Sequence, residues 1–219
     1  MKPLVIFGTG DIARLASWYF TRDAKREVAG FTVDREFQKG EECLDRPLVA
    51  FEEVEAAFPA AAFDAFVALS YRGMNRLRAE KCRAMKAKGY ALATYVSSRC
   101  TFMSDEPPGE NCFILEDNTV QPFVRIGSDV TLWSGNHIGH DSVIEDDCFI
   151  SSHVVVSGHV RIGKGCFLGV NATLRNGITL ARETLVGAGA VVMKNTVERG
   201  VYMAPRAELF PRKSDEVDL

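Results

Sequence analysis

Over the first 95 residues, short continuous apolar runs alternate with longer segments in which apolar residues recur at helical spacing. The pattern predicts strands at 3–7, 27–33 and 63–69, helices at 11–21, 51–57 and 73–88, and a further strand at 90–95. Apolar runs that end in Gly, Asp or Ser and lead into a helix are what parallel βαβ crossovers require. Residues 1–95 therefore read as a small α/β unit.

After Tyr95 the period changes to six. From Val96 to Val192 every sixth residue is large and apolar except Pro108, sixteen positions of seventeen, and the fourteen from Ile114 onward are unbroken. With apolar residues making up about half of an average chain, such a run arises by chance on the order of once in ten thousand. A hexad with an aliphatic first position and a small or β-branched fifth position (Val130, Ser142, Val154, Ala172, Thr184, Ala190) predicts a parallel β-helix over residues 96–219, ending in a C-terminal tail. It resembles the left-handed β-helix of hexapeptide acyltransferases, in which three hexads complete one triangular coil and residues eighteen apart stack at about 4.8 Å. Cys112, Val130, Cys148, Cys166 and Thr184 then share one interior column, where the thiols act as small hydrophobes.

Length and charge narrow the function. The 219 residues suffice for two small domains with real cores, and a net charge of −3 without any Lys/Arg block excludes a nucleic-acid or membrane-surface footprint. The most apolar stretch, Ala56 to Leu69, is broken by Pro59 and Asp64 and falls short of the roughly 20 residues that span a bilayer. The run Leu4 to Phe7 is too short for a signal-peptide core, so a cytoplasmic protein is expected. Six cysteines without a C-x-x-C pair point to reduced thiols.

The stretch VIFGTGDIARLA carries Gly8, Gly10 and Ala13 at G-x-G-x-x-A spacing, with Asp34 at the end of the next apolar run. This raises a nicotinamide-dependent dehydrogenase as a first hypothesis. A dinucleotide needs two mononucleotide-binding halves, however, and fewer than 100 residues provide one. A single nucleotide is the better expectation.

The GTG strand-turn-helix unit, followed by NHIGHDSVIEDDCFISSHVVVSGHVRIGKGCFLGVNATL and later LVGAGAVVMKN, resembles the NeuD/PglD family of bacterial sugar acyltransferases over nearly the whole chain. The resemblance implies a Rossmann-like domain joined to a left-handed β-helix, and acetyl-CoA as acyl donor. It also implies an amino or hydroxyl acceptor on a nucleotide-linked or sialic-acid-type sugar, and usually a homotrimer. The nucleotide carries over to Gly8, Thr9, Gly10 and Asp11 at a helix N-terminus, where backbone N–H groups meet a pyrophosphate, with Asp34 accepting from base or ribose. The alternative is that the glycines only form a tight turn and Asp34 caps a loop. The family turn runs closer to G-A-S-G-H-G than to the G-T-G-D-I-A found here, which leaves the nucleotide and the sugar open.

All four histidines, His137, His140, His153 and His159, lie within twenty-three residues of the β-helix. No cysteine or carboxylate set stands at ligand spacing with them, so no metal is expected. Gly139-His140-Asp141 occupies the place of the family's catalytic E-H-D or E-H-E motif. Acyl transfer needs a base that takes a proton from the attacking group near neutral pH, and Asp141 is placed to orient the His140 ring. Gly158, eighteen residues on, is the corresponding oxyanion donor through its N–H; the alternative is a plain turn glycine. Phe149 stands where many members carry a second histidine, and His153 falls where glycine is usual. His153, Val170, Asn171, Gly187, Ala188 and Gly189 match the coils that flank the pantetheine arm, with Lys194 or Arg206 facing the CoA phosphates. The segment VYMAPRAELFPRK, with Pro205 and Pro211, serves equally as a plain end cap of the coil. Trp133, outward in its hexad, is expected at the contact between copies.

With these residues, the resemblance implies an acetyl-CoA-dependent N-acetyltransferase of an amino-deoxy nucleotide sugar, with O-acetylation of a sialic-acid-type sugar as the close alternative. A non-catalytic β-helical assembly is the rival from another class.

Overall fold

The computed structural model describes residues 1–209, 211–213 and 215; residue 210 and the last expected tail positions, 214 and 216–219, lie outside it. In the N-terminal part, β1 (Leu4–Phe7), β2 (Val28–Val33), β4 (Arg46–Ala50) and β5 (Asp64–Val67) form a parallel sheet, with β3 (Glu42–Cys43) antiparallel at the edge in the order β3-β4-β2-β1-β5. Helix α1 (Asp11–Arg22) packs Ala13, Ala16 and Phe20 on one side of the sheet. Helix α3 (Arg76–Ala87) packs Cys82 and Met85 on the other.

Two expectations shift here. The 51–57 helix is a 3-10 turn at Phe51–Glu53 followed by one turn of α2 (Val54–Ala57), and the β3–β4 hairpin before it was not anticipated. The 90–95 strand reduces to a bridge from Leu92 to Ala65, while Tyr95–Val96 pairs with Phe113–Ile114 as the first rung of the next unit.

That unit is a three-sided coil of two-residue strands. One face stacks Phe113–Ile114, Thr131–Leu132, Phe149–Ile150, Phe167–Leu168 and Leu185–Val186; the next stacks Thr119–Val120, His137–Ile138, Val155–Val156, Thr173–Leu174 and Val191–Val192; the third stacks Arg125–Ile126, Val143–Ile144, Arg161–Ile162 and Thr179–Leu180. We call these the Phe113, His137 and Val143 faces. The pairings among these strands are parallel with an eighteen-residue offset, for example His137 with Val155, while the last rung, Val201–Tyr202, joins Leu185–Val186 at sixteen. The first-position aliphatics from Ile114 to Val192 fill the interior with the fifth-position residues Val130, Val154, Ala172 and Ala190.

The corners repeat as strictly as the strands. Every sixth residue from Asn111 to Gly189 is left-handed, with φ between 54° and 79°, and most are Asn, Asp or Gly, the types that tolerate this region. Pro107 and Pro108 coincide with a missing Val143-face strand in the first coil, as expected where proline removes a ladder donor. In the cysteine column the thiols of Cys112, Cys148 and Cys166 donate to the carbonyls of Gly127, Gly163 and Ala181 at 3.1, 3.3 and 3.2 Å. Burial pushes the Cys112 thiol up to about 12, which suits packing rather than chemistry.

The N-terminal unit sits on the Phe113 face. Phe113 and Leu115 enter the α1-side core, and Tyr71 packs edge-on to Phe149. Trp133, half-buried, packs against the same core. Arg78 of α3 is fully buried in this seam. Its Nε donates to Asp129 Oδ1 at 2.8 Å, its Nη1 to Thr131 Oγ1 at 3.0 Å and its Nη2 to the Asp129 carbonyl at 2.7 Å. Asn111 bridges the units, donating to Asp129 Oδ1 and accepting from the Val67 N–H, both at 2.8 Å.

Candidate functional site

The sequence from Gly139 to Ser142 turns the chain from the His137 face to the Val143 face, and this corner gathers the expected catalytic residues. Asp141 takes the left-handed corner position, φ 59°, which folds its carboxylate back toward the preceding ring. His140 Nδ1 meets Asp141 Oδ2 at 2.7 Å. That bond fixes the ring and favours the tautomer with a lone pair on Nε2. The His140 backbone N–H donates to Gln121 Oε1 at 2.9 Å, anchoring the corner to the coil before it.

Nε2 points at Gly158 on the following coil. A β-carbon at Gly158 would stand 2.7 Å from it, so the ring rests on bare backbone. Gly139 allows the same close approach from below: a β-carbon there would lie 2.6 Å from the Gly158 nitrogen. Among the described residues none accepts a hydrogen bond from the Gly158 N–H, while its carbonyl is bonded by Gly177 N–H at 3.0 Å. With its amide turned so that both groups are satisfied, Asn176 donates to the Gly158 carbonyl at 2.9 Å and accepts from Gly177 N–H at 3.3 Å. The Gly158 carbonyl is thus held by two donors, while its own N–H has no partner among the described residues.

His159 stands beside the pair. Its ring meets that of His140 edge-on at 4.9 Å, and its Nε2 is 3.9 Å from Asp141 Oδ2. Gln121 and Asn176 have no place in the sequence reading, and His159 appears there as one of the four histidines without a role. Asn176 follows Gly158 by eighteen residues and was open to discovery by stacking alone; the other two lie nineteen from His140, diagonal to that rule.

The residues expected along CoA gather elsewhere. His153, Val170, Asn171, Gly187, Ala188 and Gly189 lie at the corner between the Phe113 and His137 faces, across the His137 face from His140. His153 adopts φ 58° and its ring covers Gly135, where a β-carbon would lie 2.5 Å from Nδ1. Gly189 N–H donates to the Val170 carbonyl at 2.8 Å, and the Met203 sulfur covers Gly187. Lys194 follows the Val191–Val192 strand and Arg206 the Val201–Tyr202 rung; both are exposed.

The GTG turn lies at the switch point of the N-terminal sheet, where β1 is flanked by β2 on one side and β5 on the other. Gly8 has φ 121°, and a β-carbon there would lie 2.8 Å from the Ala68 carbonyl. Gly10 is the N-cap of α1 and makes no side-chain cap. Thr9 and Asp11 are exposed at this turn, and Asp11 pairs with Arg14 at 3.3 Å. Asp34 is engaged by Lys81 of α3 at 2.7 Å, beside an open cleft of about 600 Å³ lined also by Arg35, Glu36 and Glu52. Lys81 brings a cation to this end of the sheet that sequence reading did not assign.

Known proteins share the repeat and the fold. The bacterial transferase hexapeptide model (six repeats) matches residues 124–158 and 141–176, and the hexapeptide repeat of succinyl-transferase matches residues 159–194. The bifunctional protein GlmU of Thermus thermophilus is 29% identical over 103 residues, 47% of this chain and 17% of GlmU. The chain thus spans less than a fifth of the length of that curated relative. PerB from Caulobacter crescentus, solved with CoA and GDP-perosamine, superposes with a TM-score of 0.81 at 23% identity, over 93% of this chain and 95% of that one. The acetyltransferase domain of PglB from Neisseria gonorrhoeae gives 0.80 at 19% identity, over 93% and 97%. The chain shares the two-part fold of these proteins, an α/β unit carried on a hexapeptide β-helix. Among the described residues no helix is long and apolar enough to cross a membrane.

Proposed function

We propose that the protein is an acetyl-CoA-dependent N-acetyltransferase acting on the amino group of a nucleotide-linked amino-deoxy sugar. The observation that carries this reading is the single line of groups Asp141, His140 Nδ1, His140 Nε2 and the open Gly158 N–H. It offers a base and an oxyanion donor side by side, which is what thioester aminolysis demands. The amine attacks the thioester carbonyl as Nε2 takes its proton, the Gly158 N–H holds the oxyanion, and collapse expels the CoA thiolate, which recovers the proton from the imidazolium. Asp141 stabilises that imidazolium.

The N-terminal switch point supports a nucleotide site at Gly8, Gly10 and the first turn of α1, with Asp34 and Lys81 flanking it. PerB, which shares the fold, was solved with CoA and GDP-perosamine, in keeping with a nucleotide-sugar acceptor. The N-terminal unit covers the Phe113 face, whereas His140 lies at the opposite corner of the prism. A sugar held by one chain therefore reaches His140 of a neighbouring copy, which favours a homotrimer with sites shared between chains.

The test is release of free thiol from acetyl-CoA in the presence of UDP-, dTDP- and GDP-linked amino sugars, with hydroxyl-only sugars alongside. Acetylation of an amine on a nucleotide sugar is expected. Thiol release with sialic-acid-type hydroxyl acceptors alone moves the protein to O-acetylation, and release with none leaves the β-helical assembly reading.

A further inference from the structure

We propose that the His140 corner also binds one transition-metal ion of the zinc class, and that the bound ion shuts the enzyme off. The inference rests on the reading of His140 as base only for its inhibitory half.

His140, Asp141 and His159 each offer a ligand atom, and the three atoms lie within 4.8 Å of one another. Two imidazoles and a carboxylate form a donor set that zinc takes up with a fourth position left to water, and that magnesium and calcium, which prefer all-oxygen shells, do not. Zinc–nitrogen bonds of about 2.0–2.1 Å put tetrahedral ligand atoms roughly 3.3 Å apart. The present separations of 2.7 Å, from His140 Nδ1 to Asp141 Oδ2, and 3.9 Å, from His159 Nε2 to the same oxygen, fall on either side of that value. All three side chains are about half exposed, so small torsions close the shell without disturbing the packed interior.

The consequence for catalysis follows from counting lone pairs. A neutral imidazole has one N–H and one lone pair, so an ion on His140 Nδ1 shifts the N–H to Nε2, which then has no lone pair to accept the acceptor's proton. No proton is gained or lost by the ring; the base simply ceases to exist while the ion is bound. His159 faces this corner and no other expected role claims it, which gives its pairing with Asp141 a purpose.

The experiment titrates metal-free full-length protein with Zn²⁺ by calorimetry and with Co²⁺ by its visible ligand-field spectrum, with no substrate present. Transfer is then assayed over the same Zn²⁺ range, with Mg²⁺ as control. His159→Asn is the matching variant, since asparagine suits the left-handed position at φ 57°. Expected are one ion per chain, a tetrahedral Co²⁺ spectrum, inhibition that follows occupancy, no effect of Mg²⁺, and affinity weakened at least about tenfold in His159→Asn, with inhibition normalised to that variant's own metal-free rate. Zinc affinity unchanged in His159→Asn, or full occupancy without inhibition, overturns the proposal. A failed acceptor panel with intact Co²⁺ binding points instead at the functional reading.

Discussion

The Nε2 atom of His140 lies against the α-carbon of Gly158 closely enough that a β-carbon there would stand 2.7 Å away. The contact joins the proposed base and the proposed oxyanion donor across one coil step. Gly158 is not left-handed, so alanine fits its backbone, and the atom it strikes is the movable end of a side chain. Gly158→Ala should therefore fold normally, bind CoA, and lose transfer by about 10²-fold or more through displacement of the ring. Steady-state kinetics beside a thermal melt check this; near-normal kcat would mean the contact is incidental.

The seam between the units depends on Arg78. Desolvation raises the pKa of the buried Asp129 carboxyl, and Arg78 is the cation that opposes this. Arg78→Ala should cost about 3–5 kcal/mol in denaturant unfolding, because it leaves a charge buried without its partner. A loss below 1 kcal/mol would show that the seam is held by its apolar contacts alone.

Glu183 gives the protein an acid-side sensitivity. Hydrogen bonding from Arg76, with Arg199 and Arg182 in support, lowers its carboxyl from 4.5 to about 2. Because the folded value lies below the unfolded one, the contribution is complete above pH 4.5 and fades as pH falls toward 2. Wild type should exceed Glu183→Gln in melting temperature at pH 7, and the gap should close by about pH 2. A gap independent of pH contradicts the assignment.

At the GTG turn, a UDP-, dTDP- or GDP-sugar in hundredfold excess over its Kd should stabilise the protein by about 2.7 kcal/mol, and NAD by much less. Asp34→Ala should weaken the nucleotide-sugar effect and leave acetyl-CoA binding unchanged. Tight NADH binding that Asp34→Ala removes would restore the dehydrogenase hypothesis.

How much of this was legible in the sequence depended on whether the determinant was periodic. The hexads from Ile114 to Val192 announce the coil because each aliphatic meets the next at a fixed step, and the same step places Gly158, eighteen residues on, against the His140 ring as the spacing predicts. The β3–β4 hairpin was not: Glu42 and Cys43 form a two-residue edge strand, and Pro47 interrupts the apolar signal of β4. Arg78 sits in a helix that reads as a solvated face, and only the Asp129 corner opposite it explains its burial. His159 received no role from spacing because its contact with His140 runs diagonally across the corner.

The most direct measurement is the turnover of His140→Ala with acetyl-CoA and the acceptor that the panel identifies, read as N-acetylated product by mass spectrometry. The ring is half exposed at a coil corner, so the fold and CoA affinity should persist while kcat falls by about 10²–10⁴-fold, the range for loss of a general base. A His140→Ala enzyme that folds, binds CoA and turns over at near the wild-type rate contradicts the account.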